Sequence, residues 1–446
     1  MSQYRLRWPS RECHQRIWQL AWPMILSNIT VPLLGLVDTA VIGHLPESHY
    51  LGAVAVGGMI FTTLYWAFGF LRMGTTGLTA QAQGREDGAQ IRLLLARALV
   101  LGAALGLLLL LVHRPLVAIA LSLVDAGDLV TAEAERYAWI RIFGAPAVLC
   151  NYALLGWFLG NQNTRIPLLL LLVTNVANML LDLLAVYGLG MHADGVALAT
   201  VCSEYLSLGL GLYLTKRVLR NTSGTLDRQS LWHLPDYIEL LIVNRYLFVR
   251  TLLLLLSFAF FTSQGARMGT LTLSANAVLL NFLLLISHGL DGFAHATEAL
   301  AGRAIGQRRL DHFYDTVLTA LIWSLFTALA FSLLFWLAGA QIIGILTDIE
   351  PVRALAIDFL PWIILLPLVG VWSYLLDGIF IGTTQVRAMQ NTMIVSVFCV
   401  YLPLWWLLQG LGNQGLWLAF MGLFVARALT GGYVYRTLCK KELWLS

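Results

Sequence analysis

Apolar runs of about twenty residues recur along nearly the whole chain, and that is the length a helix needs to cross a bilayer. In hydrocarbon, every backbone N–H and C=O must be satisfied within the protein, so such a run folds as a helix. Twelve of them fit the 446 residues: 17–43, 50–75, 91–112, 132–158, 166–188, 193–215, 245–267, 271–301, 313–338, 353–381, 388–410 and 414–436. Composition agrees. The chain is 59% hydrophobic and 12% charged, whereas soluble domains carry about 25% charged residues. The expectation is an all-α polytopic membrane protein embedded in a lipid bilayer.

Basic residues sort by loop. Of the 28 Lys and Arg, twenty lie at the two ends of the chain and in the even-numbered loops. Four (Arg114, Arg136, Arg267, Arg353) lie on the other side, and four (Arg72, Arg141, Arg250, Arg427) fall within spans. The positive-inside rule then places both termini in the cytoplasm. The net charge of +4 therefore reflects orientation and is no nucleic-acid footprint. The basic start of the chain runs into an apolar segment without a clear cleavage site, which reads as a retained first span. Cysteines at 13, 150, 202, 399 and 439 form no C-x-x-C, so neither a disulfide framework nor a zinc site is expected. There is no H-E-x-x-H, no glycine-rich phosphate loop and no G-x-S-x-G. The chain reads as no enzyme, with no cofactor, no metal and no obligate protein partner.

The chain also repeats itself at a shift of 222. Leu51, Ala53, Ala55 and Val56 meet Leu273, Ala275, Ala277 and Val278. Thr75, Ala82 and Gly84 meet Thr297, Ala304 and Gly306. Gly160, Arg165, Gly188 and Gly190 meet Gly382, Arg387, Gly410 and Gly412. Scattered leucine matches would follow from composition alone, but loop glycines in register do not. Each half holds six spans, so the halves point the same way. This predicts two pseudo-symmetric six-helix lobes, related by an axis along the membrane normal, around a central cleft. The expected boundaries are 1–215 for the first lobe, 216–244 for a cytoplasmic linker and 245–446 for the second lobe.

Charge breaks this symmetry. Asp38 sits in the apolar stretch NITVPLLGLVDTAVIGH (28–44), where its partner in the repeat is Phe260; the partner of Asp182 is Leu404. An acid at bilayer depth costs roughly 2.5–3.5 kcal/mol on insertion scales and marks a functional position by default. Each acid lies about 9 Å below the outer surface at 1.5 Å per residue, and two carboxylates at one depth make each other's ionisation costly. Asn175, Asn178 and Asp182 form one stripe at i, i+3, i+7. Thr200, Tyr137, Arg141 and Asn151 fall at similar depth. Such Asn, Thr and Tyr residues also serve to hold helices together, and Arg141 also fits a static ion pair with Asp38 or Asp182. The second half holds Asp291, Glu298 and Asp377, with His288 and His295 flanking Asp291. These read either as a second site or as inner-end polar groups facing water. Arg250 reads as snorkelling, and Arg72 and Arg427 as pairing with acids or carbonyls.

At these residues the chain resembles the multidrug and toxic compound extrusion (MATE) family, in its DinF-like branch. The stretches that carry the resemblance are NITVPLLGLVDTAVIGHL (28–45), LRMGTTGLTAQAQG (71–84), LDGFAHATEALAGRAIG (290–306) and LLDGIFIGTT (375–384). The resemblance implies two six-helix lobes and export of drug-like, mostly cationic or amphipathic small molecules by cation antiport. It implies proton-coupling roles for Asp38, Asn178, Asp182, Thr200 and Tyr137, and a bending role for Pro23. The coupling ion is expected to be a proton, with sodium as the alternative. A flippase for an amphipathic lipid-linked substrate is the runner-up within transporters.

Overall fold

The computed structural model describes the backbone of residues 8–42, 48–122, 124, 127–441 and 443–445, and their side chains except those of 31–42, 48, 228, 239 and 445. Among the described residues there is no strand, and eleven helical segments are long and apolar enough to cross a membrane. The first expected span falls in α1 (Arg11–Ile42), whose outer side chains lie outside the described residues. Large apolar side chains on the helices face outward, Leu111 and Ile345 being 81% and 83% exposed. This is the surface of a multi-pass membrane protein, with lipid in place of water.

The chain divides into two compact units, residues 26–240, and residues 1–25 together with 241–446. The first unit holds the outer part of α1, then α2 (Ser48–Ala67), α3 (Phe70–Gly84), α4 (Gly88–Leu111), α5 (His113–Ser122) and α6 (Asp128–Arg141). It continues with α7 (Ala145–Gly160), α8 (Arg165–Leu183), α9 (Ala193–Arg220), the short α10 (Arg228–Leu231) and the first turns of α11 (Leu234–Arg267). The second unit holds the start of α1, the rest of α11, then α12 (Thr270–Gly306), α13 (Leu310–Leu346), α14 (Glu350–Gly382), α15 (Val386–Val395), α16 (Leu402–Leu408) and α17 (Asn413–Lys440). The sequence reading assigned residues 1–25 to the first lobe; their packing groups them with the second unit.

Both units are built on the same backbone contacts. Gly156 and Gly160 of α7 form a G-x-x-x-G face, and so do Gly378 and Gly382 of α14. A Cβ on Gly156 would stand 2.4 Å from the Arg72 carbonyl oxygen of α3, and one on Gly378 would stand 2.6 Å from the Ala294 carbonyl oxygen of α12. Gly160 and Gly382 repeat this against the Thr76 and Glu298 carbonyl oxygens, at 2.8 and 2.5 Å. Every one of these pairs is related by the shift of 222. Small residues let helix backbones touch, which is how helices associate where no hydrophobic effect drives them together.

The turns after these helices repeat as well. α3, α7, α12 and α14 each end with a non-glycine residue in the left-handed region: Glu86 (φ 57), Gln162 (φ 59), Arg308 (φ 55) and Thr384 (φ 56). The bonds are those of a Schellman cap. Asp87 N donates to Ala82 O at 3.1 Å and Arg309 N to Ala304 O at 2.9 Å; Asn163 N donates to Phe158 O at 2.9 Å and Gln385 N to Phe380 O at 2.8 Å. A left-handed L-residue costs roughly 1–2 kcal/mol, and here the cap bonds offset that cost at four equivalent places.

Replacing Gly156 or Gly378 by alanine pushes a methyl into backbone and destabilises the protein by about 1–3 kcal/mol. At Gly58 a Cβ meets nothing within 4 Å, and alanine there is neutral or stabilising by up to about 1 kcal/mol. Thermal unfolding of the purified protein in detergent measures the difference, and equal midpoints for all three variants would refute the packing role.

Candidate functional site

The stripe on α8 is divided among its neighbours. Asn175 donates through Nδ2 to the Thr30 carbonyl of α1 at 3.2 Å. One turn on, Asn178 is fully buried and donates through Nδ2 to Thr200 Oγ1 of α9 at 3.1 Å. The Thr200 hydroxyl passes its own hydrogen to the Val196 carbonyl at 2.9 Å. This back-bond fixes the rotor so that a lone pair faces Asn178. Asp182 follows one turn further along α8 and is 0% exposed. Immediately after it the helix widens into a π-turn, Leu184–Gly188, a feature frequent at functional sites. The structure thus joins Asn178 to Thr200 and places Asp182 on the same stripe. Asp38 stands in the outer part of α1, and its side chain lies outside the described residues.

Tyr137 is buried on α6 and packs on α2, where a Cβ on Gly57 would stand 2.3 Å from its ring. One turn later comes Arg141, for which the sequence left open a pairing with Asp38 or Asp182. Its guanidinium is instead committed to Glu204 of α9, in a bidentate pair at 2.8 and 2.5 Å. The two side chains are 9% and 12% exposed, and the guanidinium also stacks over Tyr65 and Phe61, 5.0 and 5.6 Å from the ring centroids. Asn151 Nδ2 donates to the Glu204 carbonyl at 3.0 Å. The pair closes over a break where α6 passes through a 3₁₀ turn, Ile142–Gly144, into α7. A Cβ on Gly144 would meet Glu204 Oε2 at 2.3 Å, so the ion pair and the bend require each other. Glu204 was missed in the sequence. Its signal was its place four residues after Thr200, on the same buried face of α9 as Ser203 and Ser207.

In the second unit, Asp377 of α14 accepts from two buried arginines on one oxygen, from Arg250 of α11 and from Arg427 of α17 at 2.7 Å. Arg250 therefore does not snorkel; its guanidinium is buried against an acid on another helix. Asp291 of α12 is half-buried and lies within electrostatic reach of Arg427 and Tyr374. Tyr374 shares a hydrogen bond with Ser287. Among the described residues, no three His, Cys, Asp or Glu side chains group as metal ligands.

Removing one partner of a buried pair costs about 3–5 kcal/mol, because the other charge is left alone, whereas removing both is near neutral. Arg141→Met therefore lowers the unfolding temperature strongly, and Arg141→Met with Glu204→Leu recovers most of the loss. An additive double-variant cycle would show that the pair carries no coupling.

Comparison with known proteins agrees with this architecture. The profile of the MatE family matches residues 23–184 and again 247–407, once in each half. The chain is 43% identical over 432 residues to the DNA damage-inducible protein F of Escherichia coli (strain K12), covering 96% of this chain and 94% of that one. It is 24% identical over 442 residues to the multidrug resistance protein NorM of Vibrio cholerae, covering 94% of each. The fold is that of a multidrug resistance MATE family transporter solved in an outward-facing conformation, with a TM-score of 0.83, 21% identity and 96% of both chains covered. With its doubled family match, its glycine-packed repeat and its membrane-spanning helices, this chain belongs to the MatE family of membrane transporters.

Proposed function

We propose that the protein is a proton-coupled antiporter of the bacterial inner membrane, with both termini cytoplasmic, that exports drug-like, mostly cationic or amphipathic organic compounds. Asp182 carries this reading. It is a fully buried carboxylate on a spanning helix, one turn from an amide–hydroxyl pair, and a buried intramembrane acid is a functional position by default. Ionised Asp182 and Asp38 favour a cationic guest in the first unit. A proton arriving from outside neutralises one carboxylate and weakens that attraction. A neutral acid can be buried where an ionised one cannot, so the same proton favours closure, with α1 bending near Pro23. A ligand moves such an equilibrium only through its different affinity for the two states; here the guest prefers the ionised state and the proton creates the other. Relatives named as multidrug resistance proteins support the substrate class. Tyr137, Asn178 and Thr200 would hold the acids' surroundings in place.

The experiment is transport of a fluorescent lipophilic cation by proteoliposomes under an imposed pH gradient in sodium-free buffer. Asp182→Asn abolishes gradient-driven transport while leaving expression and elution volume unchanged. Transport that survives in this variant would overturn the role of Asp182. Transport driven by a sodium gradient alone, with no pH gradient, would overturn proton coupling.

A further inference from the structure

The opening turns of α1 and α11 occupy equivalent places, 222 residues apart, and each packs with the unit built mainly from the other half of the chain. Residues 1–25 group with 241–446, and the first turns of α11, up to Leu240, group with residues 26–240. The start of α1 is attached by specific side-chain contacts. The Thr319 hydroxyl of α13 lies 3.2 Å from Cys13 Sγ, and the Trp323 indole N–H donates to His14 Nδ1 at 3.0 Å. Trp18 stands edge-on to Trp323 and to Phe293, with centroids 5.0 and 5.4 Å apart. Gly292 of α12 leaves room for Ile25, whose Cγ1 would be 2.2 Å from an added Cβ. The start of α11 is attached by a salt bridge. Arg97 of α4, 4% exposed, bonds to the Asp236 carboxylate and donates to the Ser230 carbonyl at 2.6 Å.

The register of these attachments coincides. His14 and Asp236 are equivalent positions, and so are Thr319 and Arg97, each pair separated by 222. In one half Thr319 meets Cys13, one residue before the equivalent of Asp236, and His14 meets Trp323, one turn beyond Thr319; in the other half Arg97 meets Asp236 directly. Two unrelated sets of bonds on equivalent stretches, both using the position shared by Arg97 and Thr319, make the attachment itself, rather than any one interaction, the shared feature.

We propose that these segments are reciprocal straps: the opening turns of each repeat's first helix are seated on the third spanning helix of the other repeat, α1 on α13 and α11 on α4, and stay seated throughout transport. This rests on the transporter reading above. Its consequence is that α1 bends only at the far edge of its seat. Pro23, which removes a helix hydrogen bond, lies beside the Ile25–Leu26 boundary of the two units. The equivalent position in α11 is Arg245, which has no such effect, so α1 is the strap built to bend.

Thr319→Cys sets a second thiol opposite native Cys13, where 3.2 Å now separates the side-chain tips, close enough for a disulfide after a small rotation. Copper–phenanthroline oxidation, mapped by mass spectrometry, is expected to form the 13–319 bridge, and bridged protein in proteoliposomes is expected to transport the cationic dye at the same rate with and without reductant. Transport lost on oxidation and regained on reduction would show that the seat opens during the cycle and would overturn the proposal. Absence of the bridge would show that the seat is unoccupied and would overturn it too. If the wild-type protein shows no pH-driven transport, the functional reading fails by itself. The bridging yield with and without an imposed pH gradient still decides the strap, equal yields supporting it and a gradient-dependent yield overturning it. For α11, Arg97→Asp and Asp236→Arg each reduce transport, and the swapped pair restores it; no restoration would overturn the second strap.

Discussion

A charge among membrane helices has to be matched by another group of the protein, because lipid offers nothing in exchange for lost water. The buried ionic contacts of this chain follow from that constraint. In the first unit, Arg141 is spent on Glu204, and the pair sits against the bend between α6 and α7 that Gly144 permits. In the second unit, Asp377 draws in Arg250 and Arg427 from two other helices. A buried pair adds little net stability compared with apolar residues of the same shape. What it does fix is the rotation of the helices that carry it, since neither charge can turn away without being stranded. Arg141 and Glu204 therefore hold the face of α9 that also presents Thr200 to Asn178.

The neutral scaffold around these charges is built differently. α3 against α7, and α12 against α14, touch through glycines at their carbonyls, and the turns that follow use left-handed caps at the same register in both halves. Such contacts depend on shape and backbone conformation, not on charge. Duplication can copy them unchanged while side chains elsewhere diverge.

This difference explains what the sequence made legible. The repeat frame was readable because glycines and turn residues are constrained one position at a time, and their matches survive a simple shift. The spans were readable because lipid imposes a length. The stripe of Asn175, Asn178 and Asp182 was readable because it lies on one helix, where spacing determines the face. Partners on different helices were not readable. Nothing linear connects Arg141 to Glu204 or Arg250 to Asp377; those pairings follow from which helices are neighbours and how each is turned. The attachment of residues 1–25 to the second unit was hidden for the same reason: Cys13, His14 and Trp18 carry no periodic signal, and their partners lie some three hundred residues away in the chain.

The duplicated frame also explains why the two halves need not act alike. Where the first half has Pro23, Asp38 and Asp182, the second has Arg245, Phe260 and Leu404. The first helix of one repeat thus carries an acid and a break in its hydrogen bonding at positions where the first helix of the other has Phe260 and Arg245. A helix weakened by proline yields at that point under a given load, and a carboxylate further along the same helix changes its preference for burial when it takes a proton. With the opening turns held on α13, as proposed, the response falls to the later part of α1. Symmetry supplies two equivalent helices; in the proposed antiport, proline and acid together are what would make one of them respond to protons.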